Sequence, residues 1–373
     1  MTDAAKFAGK KILMVVPRYL PYAGGVEMHT FELASRMAAQ GIDITVLSSD
    51  LSRSLPRTET RDGVRLLRVD AYPANMDLYY APGIRNLIRD GSWDIIHSQS
   101  IHTLVPPLTM YSAKRKKIPY IITPHTSVHA SWLRNVIRPL QWTILQPLIK
   151  HARQIITVSR AEDTYFRNRF RSLESRITYI PNGGNLPAVG SEVPLAGSPL
   201  IVSVGRLDPL KGHQRVISGF YALLQRCPDA RLRIVGEGEF EAELRRQVSR
   251  LQLERRVEIR GVAPDKRYEM AELLASASVV TLLSSGENNP VAVLEALSLH
   301  RPVLVAYTRG LRRFVDEGMV RSVALDSSPE EIAEAILQQL EAPLVPAAIE
   351  IPTWEACTEH VIDIYLRVLA RTV

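Results

Sequence analysis

Cysteine is almost missing from this chain of 373 residues: there are two, Cys227 and Cys357. No disulfide framework can hold such a chain, and a reduced, cytoplasmic setting is expected. Long apolar runs are missing too. None approaches the roughly 18 residues of a membrane span. Residues 1–11 are polar and lead into a strand-like apolar run, without the apolar core and cleavage site of a secretory signal. No Gly-X-Gly-X-X-Gly follows the first strand candidate, which argues against a dehydrogenase. No Asp-X-Asp pair occurs, and no His/Cys/carboxylate group has zinc spacing, so no metal and no cofactor is expected. RNA-binding aromatic signatures and zinc-finger spacings are lacking, which sets nucleic acid aside as a partner.

What is present is an ordinary globular composition, 46% hydrophobic and 23% charged, able to build sizeable cores. At roughly 150 residues per domain, two domains are expected. The net charge of +7 fits an anionic membrane surface or a phosphate-rich substrate.

Short apolar runs alternate with helical patterns. Residues 11–16, 42–47, 64–69, 95–97, 120–123 and 154–158 read as strands, and 24–40 reads as a helix closed by Gly41. Residues 181–199, rich in Pro, Gly, Ser and Asn, read as a linker. The rhythm then restarts, with strands at 200–204, 230–235, 257–260, 279–283 and 303–306 and helices between them. The fold class is therefore α/β, two Rossmann-like parallel-sheet halves. Ligands of such sheets bind at the carboxyl ends of the strands, which predicts a site in a central cleft faced by the two halves.

Two stretches carry chemistry. In Ser284 to Ala296 a strand gives way to a turn, and Pro290 is expected to open a helix. Exposed amides at a helix start bind anions. Glu287 precedes that helix and Glu295 lies roughly 7.5 Å along it from Pro290. Carboxylates beside an anion site suit the hydroxyls of a sugar and a ribose, against the plainer reading of a helix-start charge and a surface charge. In Val204 to Gly212, Arg206 and Lys211 bracket a loop between strand and helix. Both cations could reach one diphosphate and stabilise its growing charge as it leaves. The plainer reading is a solvated loop with two surface cations.

Together these stretches resemble the retaining glycosyltransferases of the GT-B fold in the large Glu-X7-Glu group (glycosyltransferase family 4, glycosyl transferases group 1). Glu287 and Glu295 match the Glu-X7-Glu element, and Gly205 to Gly212 matches the phosphate-binding loop. Further matches are Gly24 to Glu27, Asp94 to His97, Pro181 to Gly183 and Val235 to Gly238, so the resemblance spans nearly the whole chain. It implies an acceptor-binding domain over 1–185, with a final helix at 355–373 packing back on it, and a nucleotide-sugar-binding domain over 186–354.

The same resemblance implies residue roles. Arg206 and Lys211 hold the diphosphate. Glu287 contacts the sugar, and the backbone of Asn288, Asn289, Pro290 and Val291 lines sugar and phosphate. Glu295 binds the ribose, and Arg260, Gly261 and Val262 lie by the nucleobase. Gly25 admits the phosphates closely, since a side chain there would obstruct them. His125, after a strand, is expected near the sugar. The implied activity is transfer of a hexose-type sugar from a GDP- or UDP-sugar to a glycan or lipid-linked acceptor, with retained anomeric configuration and no metal, in cell-surface polysaccharide or glycoconjugate synthesis. Asn288-Asn289-Pro290, His300 and the loop from Gly310 to Val315 depart from the family pattern. These departures leave open a non-catalytic nucleotide-sugar-binding subunit, and the fold also hosts nucleotide-sugar epimerases.

Residues 129–153 mix Trp132, Trp142, Leu145 and Ile149 with Arg134, Arg138, Lys150 and Arg153, and Lys114 to Lys117 is a basic run. Aromatics with cations suit peripheral contact with the anionic inner face of a cell membrane. A core helix with solvated ends is the competing reading.

Overall fold

A computed structural model describes the chain except residues 1–5, 23, 74–78, 127–131, 191–197, 288–289, 348 and 372–373, and the side chains of 132–140. The chain forms two compact units. One holds residues Met1–Asn182 and Trp354–Val373, the other Gly183–Thr353.

The first unit is built on an eight-stranded sheet in the order β3-β4-β2-β1-β5-β6-β7-β8. Its strands are β1 (Lys11–Val16), β2 (Asp43–Asp50), β3 (Thr58–Arg61), β4 (Val64–Asp70), β5 (Ile95–Gln99), β6 (Tyr120–Thr123), β7 (Gln154–Thr157) and β8 (Ile177–Tyr179). The sequence explains the order. Central strands β1 and β5 are buried on both faces, as parallel strands covered by helices are; β1 is apolar after Lys11, while β5 opens on Ile95 and Ile96 and then buries the polar His97, Ser98 and Gln99. They pair in parallel from Ile12↔Ile95 onward. At the edge, β3 is the polar run Thr-Glu-Thr-Arg, half exposed, and pairs antiparallel with β4. It was not foreseen, because no apolar run marks it. The three-residue β8 was missed for the same want of length.

The helix Trp354–Ala370 belongs to this unit. Trp354 and Tyr365 are fully buried, and a 2.7 Å hydrogen bond joins the Tyr365 hydroxyl to Nδ1 of His97 on β5. Arg36 Nε donates to Glu355 at 2.9 Å.

The second unit has an all-parallel six-stranded sheet in the order β11-β10-β9-β12-β13-β14. Its strands are β9 (Leu200–Val204), β10 (Arg231–Val235), β11 (Val257–Arg260), β12 (Val279–Leu282), β13 (Val303–Ala306) and β14 (Arg321–Val323). Two apolar layers flank the sheet, one around Phe220, Leu232 and Ile336, the other around Val202, Leu294 and Phe314. The strand order reverses between β9 and β12. That is where open parallel sheets leave a crevice at their carboxyl ends.

The interfacial reading of residues 129–153 is corrected in part. Trp142, Leu145 and Ile149 of the helix Trp132–Ile149 are buried in the first unit's core, with Trp142 packed against Phe166 and Phe170. Ile144 is exposed. Trp132, Arg134 and Arg138 fall among the residues whose side chains are not described. Lys114 to Lys117 are exposed at the end of the helix Val105–Lys116. Among the described residues, no helix is long and apolar enough to cross a membrane.

Candidate functional site

In the second unit the two chemistry-bearing loops leave β9 and β12, the strands flanking the switch point. The first loop is shaped from within. Asp208 Oδ1 accepts from the N–H groups of Leu210 (2.9 Å) and Lys211 (3.2 Å) and caps a short turn over Pro209–Lys211. Its other oxygen pairs with Arg206 Nη2 at 3.2 Å. Behind the loop lies His213, fully buried, which bonds Ser203 Oγ through Nδ1 at 2.9 Å. Its Nε2–H donates to the carbonyls of Gly205 and Arg206, both at 3.2 Å. Burial drives the His213 pKa down to about 4, so the ring stays neutral and holds the loop from beneath.

The second loop is stitched to the first. Ser285 N–H donates to Leu210 O at 2.8 Å, and Arg215 Nη1 donates to Leu283 O at 2.9 Å. Gly212, at φ +77°, closes the approach, since a Cβ there would sit 1.9 Å from Leu283 O. This tight seam brings Lys211 Nζ to 2.6 Å from Glu287 Oε1, with the carboxylate side chain 8% exposed. Gly310 backs Glu287 just as closely, because a Cβ on it would meet the Glu287 carbonyl oxygen at 1.9 Å.

Pro290 is the cap of the following helix rather than its first residue. It is extended at φ −75°, ψ 100°, and the helix runs Val291–Ser298. Asn288 and Asn289 lie outside the described residues. Glu295 is buried on that helix and ion-paired to Arg267. The plainer reading of Glu295 as a surface charge therefore does not hold.

The residues expected near the base are less uniform. Arg260 is half exposed and pairs with Glu269 at 2.6 Å. Val262 is buried in an apolar layer of the core. A Cβ on Gly261 would meet the Oε1 end of the exposed Glu237 side chain at 2.5 Å, a contact that the flexible carboxylate can relieve by turning away.

In the first unit, Gly25 opens the helix Gly25–Ala39 after β1, and the space its Cβ would take is empty to 4 Å. His125 follows β6 with left-handed backbone, φ 48°. Its Nε2 is 2.9 Å from Gln99 Oε1, which fixes that nitrogen as the protonated one. His102 Nε2–H donates to the His125 carbonyl at 2.7 Å. The next residue is anchored as well: Thr126 N–H (2.5 Å) and Oγ–H (2.8 Å) donate to buried Glu162, which also accepts from Val158 N–H at 2.9 Å. The His125 and His29 rings meet edge to face at 4.8 Å, and His29 Nδ1 bonds Asn182 Oδ1 at 2.9 Å. Burial, then the neighbouring imidazoles, push the His125 pKa well below its ordinary value. Burial likewise lowers His29 to about 4 and His97 to about 3. Three neutral imidazoles thus share one region around the ends of β5 and β6. His125 as found is a hydrogen-bonding group held neutral, not a cation.

Sequence reasoning missed Asp208, His213, Arg215, Ser285, Gln99, Glu162 and Arg267. Each acts by holding a named motif residue or its backbone, so motif matching passes over it. The Asp208 cap was the most readable, as an aspartate two residues before Leu210 at a turn.

Residues 23–186 match the family Glycosyltransferase Family 4, and residues 198–342 match Glycosyl transferases group 1. A phosphatidyl-myo-inositol mannosyltransferase from Mycobacterium leprae is 27% identical over 342 residues, covering 88% of this chain and 87% of that protein. Among solved structures, the sucrose-phosphate synthase of Thermosynechococcus elongatus superposes with a TM-score of 0.74 at 19% identity, covering 97% of this chain and 100% of that one. The Anabaena protein HepE in complex with UDP-glucose gives 0.68 at 18% identity, covering 97% and 98%. Those likenesses show a GT-B fold.

Proposed function

Because the chain belongs to the glycosyltransferases of family 4 and group 1, we propose that it moves a hexose-type sugar from a GDP- or UDP-sugar to a glycan or lipid-linked acceptor, retaining the anomeric configuration. The observation that carries this is the Lys211–Glu287 contact of 2.6 Å at the β9/β12 switch point. It sets a phosphate-binding cation beside a hydroxyl-binding carboxylate, where a sugar diphosphate presents those two groups in adjacent positions. The relative that is named for mannosyl transfer to phosphatidyl-myo-inositol, and the HepE complex with UDP-glucose, support the donor and acceptor classes.

In this reading Lys211 and Arg206 take the diphosphate, and the helix that follows Pro290 adds its dipole and the free N–H groups from Val291 onward. Glu287 holds the sugar hydroxyls, and Glu295 the ribose. The sugar–phosphate bond loosens through an oxocarbenium-like state, and the departing phosphate accepts the acceptor's proton on the same face. The protein's work is then positioning and charge stabilisation. Gly25 leaves its open space for phosphate. Neutral His125 exchanges hydrogen bonds with the sugar. The two cations do the work a metal would do, so chelation with EDTA leaves the rate unchanged.

The test is turnover on a panel of nucleotide sugars with a phosphatidylinositol or glycan acceptor, using K211A and E287A. Each variant is expected to lose about 100-fold or more in kcat/KM, the scale of a lost transition-state contact. Undiminished turnover in both would remove the assignment. An NMR spectrum of the first product shows an anomeric proton of the donor's configuration if transfer is retaining.

We propose a peripheral membrane contact at the C-terminal end of the helix Val105–Lys116, where exposed Tyr111 lies one turn before the exposed Lys114 to Lys117. The protein is expected to sediment with anionic liposomes and to be released by salt. Binding indifferent to lipid charge would count against it.

A further inference from the structure

Glu295 sits on a helix whose neighbours Val293, Leu294, Ala296 and Leu297 are all buried. A carboxylate in such surroundings keeps its charge only with a partner. The partner is Arg267, the first residue of the helix Arg267–Ala275, whose Nη2 donates to Glu295 Oε1. The two side chains are 11% and 5% exposed, which makes this a buried pair. Arg260, the cation expected from sequence near the base, is 34% exposed in its own pair. Exposed pairs of that kind are worth little, while a buried one fixes geometry.

The planar guanidinium does more than neutralise. By holding Oε1 it restricts the rotation of the carboxylate. Among the described residues no other side chain is seen to engage that group, so Oε2 remains for an incoming hydroxyl. A hydroxyl donating to an ionised, pre-aimed carboxylate is a strong, geometry-dependent contact. We propose that Arg267 is the positioning residue that aims Glu295 at the ribose of the nucleotide. The proposal rests on the reading of Glu295 as the ribose contact.

Isothermal titration of UDP and GDP, each against its 2′-deoxy and 3′-deoxy forms, tests both levels separately. The native protein is expected to lose about tenfold or more in affinity when the contacted hydroxyl is missing, as befits a hydrogen bond to a charged group. E295Q should erase most of that difference. R267Q should shrink it to about two- to threefold while leaving the affinity for the deoxy nucleotide nearly unchanged. R267K, which keeps the charge but not the fork, should fall between native and R267Q.

If E295Q erases the penalty while R267Q keeps it whole, Arg267 is not the positioning residue and the ribose reading stands. If R267Q weakens all the nucleotides equally along with a fall in Tm, the arginine is merely structural and the proposal is overturned. If E295Q keeps the penalty, or neither UDP nor GDP binds the native chain, the ribose reading fails and takes the proposal with it. Should R267Q not fold, R267K is judged by the same penalty.

Discussion

Lys211, Gly212 and Glu287 show how single residues set the site. Lys211 is paired to a carboxylate that is 8% exposed. Removing the cation alone strands the anion, which costs more than removing both. K211M is therefore expected to lower Tm, and K211M/E287Q to recover part of the loss. Equal Tm values for the single and double variants would show the pair to be uncoupled. Gly212 has two independent reasons to be glycine, its positive φ and the carbonyl of Leu283 where a Cβ would go. Left-handed backbone alone costs a side chain about 1–3 kcal/mol. Urea unfolding of G212A should show a loss of at least that size, and donor affinity should fall with it, because the seam between the two loops opens.

At the scale of elements, legibility followed apolar pattern and punctuation. Strands such as β1, β9 and β12 stood out as buried runs. The loops after β9 and β12 stood out because Gly and Pro mark them. The edge strand β3 is polar and β8 is three residues long, so neither left a periodic trace. Partners were the least legible part of the candidate site. Arg267 and Glu295 are 28 positions apart, and nothing in spacing relates two helices that meet only in the fold. Trp142 misled because an aromatic next to cations reads the same on a membrane face and in a core. The helix Trp354–Ala370 is held to β5 by Tyr365, whose hydroxyl bonds buried His97. Y365F leaves that ring nitrogen only the long 3.5 Å contact with Gln99 Nε2, so a loss of about 1–3 kcal/mol is expected by urea unfolding. A loss near zero would mean the ring packs well without the bond.

For the whole molecule, the buried histidines set the response to acid. His29 and His213, at about 4, and His97, at about 3, are all lowered by burial. Folded, they refuse a proton that the unfolded chain accepts below its ordinary value near 6.5. Their stability is thus fully present above that pH and is lost as pH falls towards 4, by up to about 1.4 kcal/mol per pH unit for each ring. Glu162, raised by burial, works the other way and favours the folded state at lower pH. These three rings together with His125, also lowered by burial, against one carboxyl predict a net loss, so Tm measured from pH 7 to pH 4.5 should fall steadily. A flat profile would show that these rings are not kept neutral.

The helix Trp354–Ala370 also bears on the order of assembly. The first unit begins the chain yet borrows its last helix from beyond residue 353, whereas Gly183–Thr353 is one uninterrupted stretch. During synthesis the second unit can close as soon as it has emerged. The first, although translated earlier, must hold an unfinished face until the helix arrives. The half that is made first is the half that is finished last.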